Sequence, residues 1–126
     1  MKKMTRGIVI AGLFAVVGAC SSPSPASRSS GMCQFATDAG VVYSCKTLTN
    51  LTSSGLTTNC AAPGQFTADQ TCSMANAVGT CTIKLPANGA SIVDYYYAPN
   101  TCDAAKTSCN ATMAAGSTVT FSGNGC

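Results

Sequence analysis

The nine cysteines constrain the fold of this chain more than any other feature of its sequence. They stand at positions 20, 33, 45, 60, 72, 81, 102, 109 and 126 of 126 residues. None are spaced C-x-x-C, so the spacing indicates neither a thioredoxin-like redox site nor a zinc ribbon. Cysteines at this density in a short chain are typical of a disulfide framework in an exported protein.

The N-terminus has the composition of an export signal. Three basic residues lie within Met1–Arg6, and the uncharged apolar run Gly7–Val17 follows. A basic head and a short apolar run that ends in small residues are typical of a signal peptide. The run is shorter than the roughly 20 apolar residues that cross a membrane as a helix.

Val17-Gly18-Ala19-Cys20 resembles the lipobox of bacterial lipoproteins, where an aliphatic and two small residues precede a modified cysteine. The resemblance implies that residues 1–19 are a signal peptide that is removed. Cys20 would then carry a diacylglyceryl group and often a further acyl chain such as palmitate, and two or three chains make a stable anchor. The alternative is an ordinary secretory signal with a chance cysteine. In the enterobacterial sorting pattern that this resembles, Ser21 predicts the outer membrane.

The domain organisation follows from this cleavage site. Residues 20–31 comprise the lipidated cysteine and a stretch rich in Ser and Pro, which predicts an extended tether. Residues 32–126 are left for one disulfide-rich domain. The resemblance therefore implies a cell-envelope protein, lipid-anchored through Cys20, whose partner is the membrane.

The composition of the mature chain argues against several function classes. Its four basic residues balance its four aspartates, so it has no basic surface for a nucleic acid. The chain contains no His, no Glu and no Trp. Imidazole ligands and His-activated nucleophiles are therefore excluded, and no D-x-D pattern suggests a calcium loop. The sequence predicts neither an enzyme nor a bound cofactor or metal.

Segment patterns predict a small disulfide-rich α+β fold, dominated by strands, with one or two short helices. Four segments rich in β-branched or aromatic residues are predicted strands: Val41–Cys45, Cys81–Leu85, Ser91–Tyr97 and Ser117–Ser122. Asp103–Ala115 is the predicted helix, with Asn100 or Thr101 as its cap. Leu51–Cys60 would be a shorter, weaker helix.

With Cys20 assigned to lipid, eight cysteines remain for up to four disulfides. Cys81 lies on a predicted strand and Cys109 on the sheet-facing side of the predicted helix, so we expect these two to bond. Cys102 is about 10.5 Å along the helix from Cys109, too far to bond it, and can reach Cys126.

For the four cysteines that remain, we expect the pairs Cys33–Cys72 and Cys45–Cys60. A local Cys72–Cys81 bridge is the main alternative to this scheme.

The two halves of the chain share an order of features, which suggests an internal duplication. A strand with Cys45, then Cys60, Phe66 and Cys72, would match a strand with Cys81, then Cys109, Phe121 and Cys126. This alignment suggests one strand-to-helix bridge in each half.

A second resemblance covers about residues 72–121. Cys72–Cys81, the tyrosines of Tyr95–Tyr97 and the helix cysteine Cys109 look like small Cys-rich domains of bacterial envelope lipoproteins. Their usual pattern is C-P-x-x-N-x-V-G-x-C, and Ser73 stands here where Pro is common. Ala115–Thr118 stands where those domains have G-G-T-aromatic. The resemblance implies a fold and an address, and no activity.

The tyrosine strand contains the one candidate binding site. With a period of two, Asp94 and Tyr96 point to the face opposite Tyr95 and Tyr97. One interpretation buries both faces, and the other exposes Tyr96 beside Asp94 as a contact for a glycan or an envelope protein. The sequence thus predicts a binding or structural module. The alternative is a small disulfide-stapled protease inhibitor that presents a loop such as Leu85–Ala90.

Overall fold

The computed structural model describes residues 25–123 and 125–126. The predicted signal peptide (1–19), the predicted lipidation site Cys20 and the first part of the predicted tether lie outside the described residues.

Six strands form one antiparallel sheet, and two helices pack on one face of it. In chain order they are β1 (Arg28–Ala36), β2 (Val42–Thr52), α1 (Ser53–Asn59), β3 (Gln65–Ala68), β4 (Ala77–Lys84), β5 (Ser91–Tyr97), α2 (Cys102–Ala111) and β6 (Thr118–Gly123). The strand order across the sheet is β3-β1-β2-β5-β4-β6. The strand-dominated α+β class predicted from the sequence is confirmed.

The first strand begins inside the stretch assigned to the tether. Arg28 pairs with Thr52 and Ser29 with Leu51. The backbone N–H of Asn50 donates to the hydroxyl of Ser30 at 2.9 Å. Small polar residues can therefore hold a strand here, because the long neighbour β2 supplies a complete ladder for them.

The sheet consists of two copies of one unit, related by a pseudo-two-fold axis. Each copy runs strand-strand-helix-strand with its third strand paired to its first. Cys33 lies opposite Lys46 across β1 and β2, as Cys81 lies opposite Asp94 across β4 and β5. Lys46 and Asp94 also lie opposite each other where β2 meets β5. The axis therefore passes between these two residues.

The two copies also share their helix starts. The hydroxyl of Thr52 accepts from the N–H of Gly55 at 3.2 Å, and that of Thr101 accepts from Ala104 at 3.3 Å. A side chain that satisfies an unpaired N–H of the first turn is a standard N-cap. Of the two predicted caps of the second helix, Asn100 and Thr101, the structure has Thr101.

Four disulfides link the eight cysteines of the domain: Cys33–Cys60, Cys45–Cys72, Cys81–Cys109 and Cys102–Cys126. The two predicted bridges of the second half are confirmed. The pairs Cys33–Cys72 and Cys45–Cys60 were wrong, and so was the alternative Cys72–Cys81.

Strand geometry explains why the predicted pairs of the first half were wrong. Cys33 pairs across the sheet with Lys46, so Cys45, one residue earlier, points to the opposite face. Cys60 closes α1 on the helix face, where only Cys33 can reach it. The duplication is therefore present, but with Cys33 rather than Cys45 as the counterpart of Cys81.

The core between helices and sheet is small and largely made of cystine. The largest side chains below 2% exposure are Leu48, Cys33, Cys81 and Cys109 in this core, and Cys45 on the opposite face of the sheet. Around the leucine and three of these cysteines pack Leu51, Ile83 and Ile92. The disulfides are thus part of the apolar core as well as cross-links.

A glycine on β1 should tolerate no side chain. A Cβ on Gly31 would lie 2.5 Å from the backbone oxygen of Thr67 and 2.7 Å from the Phe66 ring. We expect Gly31→Ala to lower the free energy of unfolding by about 1–3 kcal/mol. Gly55→Ala in α1, where the nearest atom would lie at 3.4 Å, should instead raise it by roughly 0.5–1 kcal/mol. Urea titration of both variants checks this. Equal effects would contradict the packing of β3 on β1.

Candidate functional site

A groove opens on the helix face of the sheet, close to the pseudo-two-fold axis. Helix α1 packs on β1 and β2, and α2 packs on β4 and β6, so neither helix lies over β5. The groove has a volume of about 260 Å³ and is lined by Phe35, Tyr43, Ser44, Lys46, Tyr96 and Asn100. Its place in the sheet is thus fixed by the junction of the two units.

Two aromatic rings from two strands face the groove. Phe35 is the second-to-last residue of β1 and Tyr96 the second-to-last of β5, both lie opposite Ser44, and each side chain is partly exposed. Tyr43, the second residue of β2, borders the groove beside Ser44. Tyr96 and Phe35 also pack against the buried core, which fixes their position. The rings give the groove an apolar surface that keeps part of its area in contact with solvent.

Asp94 lies on the same face as Tyr96 and beside the groove. The hydroxyl of Ser44 donates to its carboxylate at 2.8 Å. Burial raises the pKa of Asp94 from its usual 3.8, and this outweighs the opposing effects of the Ser44 hydrogen bond and the positive charge of Lys46. Burial and the adjacent carboxylate also raise the pKa of Tyr96, so its phenol stays neutral.

Lys46 brings a positive charge into the same groove. Its Nζ lies 5.4 Å from the centre of the Phe35 ring, within the range of a cation–π contact. On the sheet it lies opposite Asp94. The groove therefore has a positive group in its lining and a negative group beside it, and their charges offset each other.

Asn100 closes the end of the groove in front of α2. Its amide nitrogen donates to the backbone oxygens of Tyr43, at 2.7 Å, and Tyr97, at 3.1 Å. These bonds tie the ends of β2 and β5 together. Since both use the nitrogen, the side-chain oxygen is its remaining acceptor.

The opposite face of the sheet is partly covered by the segment that joins the two units. The Cys45–Cys72 disulfide holds this segment on the sheet, and the N–H of Cys72 donates to the hydroxyl of Thr47 at 3.0 Å. The hydroxyl of Tyr97 donates to the backbone oxygen of Ser73. Tyr95 and Tyr97 therefore lie away from the groove, as the strand period predicted.

The structure brings the two predicted site residues, Asp94 and Tyr96, together on one face. Neither predicted interpretation fits fully, because the face is covered by helices at its ends and open between them. Phe35, Lys46 and Asn100 were not among the predicted site residues. Phe35 could have been assigned to this face only if β1 had been recognised as a strand, because side chains alternate between the two faces along a strand.

The loop proposed for the protease-inhibitor alternative forms a closed turn. The N–H of Leu85 donates to the oxygen of Ala90 at 3.0 Å, and Ala90 donates to Ala87 at 3.2 Å. Asn88 and Gly89 have positive φ, as a tight hairpin requires. Inhibitors that mimic substrates need an extended loop, so this geometry gives that hypothesis no support.

Asp94→Asn is expected to remove a pH-dependent loss of stability. Between pH 3.8 and the raised pKa of folded Asp94, the folded chain holds a proton that the unfolded chain has lost. The free energy of unfolding contributed by this group therefore falls as pH rises through that window, and stays lower above it. Asparagine keeps an acceptor for Ser44 and carries no charge.

Urea unfolding of the variant and the wild type from about pH 3 to pH 7 measures this effect. The stability of the variant relative to the wild type should be greater at neutral pH than below 3.8. A difference that stays constant with pH would mean that Asp94 titrates normally.

Comparisons with known proteins found no matching family model, no matching curated protein and no matching solved structure. Among residues 25–123 and 125–126, no helix is long and apolar enough to cross a membrane. The same residues contain no cluster of three or more side chains suited to hold a metal ion.

Proposed function

We propose that this chain is a lipid-anchored lipoprotein of the cell envelope whose domain is a binding module with the groove as its ligand site. The proposal joins two independent parts, an anchor at Cys20 and a site between the helices. No catalytic role is assigned to the domain.

The cysteine count supports the anchor. The four disulfides use all eight cysteines from Cys33 to Cys126. No cysteine of this chain is left for Cys20 to pair with. A single extra cysteine directly after Val17–Ala19 is what the lipobox resemblance requires.

The composition of the groove supports the binding role. Aromatic rings remain partly exposed around a hydrogen-bonded carboxylate and a lysine in a domain with very few large apolar residues. Pockets that combine apolar walls with a few converging polar groups are typical of ligand sites. A purely structural role would not need these rings to stay in contact with solvent.

Separation of the membranes tests the envelope address. In a host with two membranes, we expect the wild type in the outer membrane, because Ser21 follows the lipidated cysteine. The matched variant Ser21→Asp should shift the protein to the inner membrane. A wild-type protein found wholly in the inner membrane would contradict the sorting proposal.

A further inference from the structure

We propose that the groove binds an uncharged saccharide and receives one sugar ring. The inference rests on the proposed role as a binding module and names the ligand class of that site.

The size of the groove limits the ligand. Pockets for drug-sized molecules have volumes of about 300–1,000 Å³, and this groove has about 260 Å³. A stable protein partner would bury roughly 800 Å² on each side, far more than six lining residues offer. A single ring of a larger chain, with the rest outside, fits the site better than a protein surface does.

The charges of the groove disfavour an ionic ligand. Asp94 would attract a cation, but Lys46 lies opposite it, and its ammonium group already occupies the Phe35 ring. Lys46 would attract an anion, but the Asp94 carboxylate repels it. Four basic side chains and four aspartates also balance over the described domain. An uncharged ligand is repelled by neither group, so it can bind here without an electrostatic penalty.

The polar groups of the groove match a ligand that both donates and accepts hydrogen bonds. Lys46 is a donor only, whereas the Asn100 side-chain oxygen and, beside the groove, the Asp94 carboxylate are acceptors. The hydroxyl of Tyr96 can do either. Sugar hydroxyls have this dual capacity, while the C–H face of a sugar ring is apolar enough to pack on an aromatic ring.

Titration of the intact lipidated protein, purified in detergent, with uncharged oligosaccharides tests the proposal. Chitotriose, maltotriose and cellotriose are the probes, followed by saturation-transfer NMR and calorimetry. We expect at least one of them to bind, with a dissociation constant that does not change with ionic strength. Tetramethylammonium and glucuronate serve as charged probes.

The variants locate the site. Tyr96→Ala removes the aromatic ring that β5 contributes to the groove and should weaken binding about tenfold or more. Tyr95→Ala, a tyrosine on the other face of the sheet, should leave binding unchanged. Thermal unfolding of both variants confirms that they are folded before they are compared.

Three results would overturn the proposal: no binding of any of the three saccharides by the folded wild type, equal effects of the two variants, or salt-sensitive binding of a charged probe alone. The last would leave the groove a ligand site of another class. Membrane localisation is measured separately, so failure of the anchor can be distinguished from failure of the saccharide site.

Discussion

Reduction of the four disulfides is expected to unfold the domain completely. They close loops with sequence separations of 27, 27, 28 and 24 residues. Each disulfide stabilises a small domain by about 2–4 kcal/mol, and the total stability of a typical domain is about 5–15 kcal/mol. Four of the five largest fully buried side chains are half-cystines, so little apolar core remains without them. Circular dichroism and urea titration before and after reduction measure the effect.

Two paired variants separate cross-linking from packing. Cys81→Ala with Cys109→Ala removes a bridge whose halves are 1% and 0% exposed. It should cost the chain-entropy contribution of about 3–4 kcal/mol and, in addition, a buried cavity. Cys102→Ala with Cys126→Ala removes a bridge to the exposed terminus. This pair should lose only the chain-entropy contribution, because no buried cavity is left. The reverse order of stabilities would contradict the described core.

Cys20→Ser is expected to release the protein from membranes. Without the thiol no diacylglyceryl group can attach, and each buried CH2 of the acyl chains contributes about 0.8 kcal/mol to membrane binding. We expect the lipid mass to disappear and the protein to move from the membrane fraction to the soluble fraction.

Cys126→Ser serves as the control for the loss of one cysteine, because it opens an exposed bridge and leaves Val17–Cys20 unchanged. That variant should remain membrane-bound. If Cys20→Ser also stays membrane-bound with its mass unchanged, the lipid anchor is wrong.

Local sequence predicted those elements whose own residues determine them. Ser91–Tyr97 is β5 with the predicted bounds, since its β-branched and aromatic residues suit a half-buried strand. The helix near Cys109 was also recognised, from its cap and its acidic first turn. Its length was overestimated, because α2 ends at Ala111 instead of Ala115.

The missed strands depend on their neighbours. Arg28–Gly31 has the composition of a tether, and it is a strand because β2 pairs with it on one side and β3 with its end on the other. The exposed strand Gln65–Ala68 likewise depends on β1 for its hydrogen bonds. Such pairing is a tertiary effect that the strand's own residues do not reveal.

The error in the first-half disulfides came from the same source. Without β1, Cys33 had no face assigned to it, and Cys45 took its place in the alignment of the two halves. For the same reason, only some of the residues at the groove were predicted. Asp94 and Tyr96 share one strand, whereas Phe35 and Lys46 reach them only through the register of β1, β2 and β5.

Peptide mapping of the native, non-reduced mature protein by mass spectrometry tests the central claim, a lipid-anchored domain built from two disulfide-linked copies of one unit. It should find Cys33 joined to Cys60 and Cys81 to Cys109 as the equivalent strand-to-helix bridges, with Cys45–Cys72 and Cys102–Cys126 as the other two. The N-terminal peptide should begin at Cys20 and carry the mass of acyl chains. Cys81 joined to Cys72, or Cys45 to Cys60, would contradict the duplicated fold, and an unmodified Cys20 would contradict the anchor.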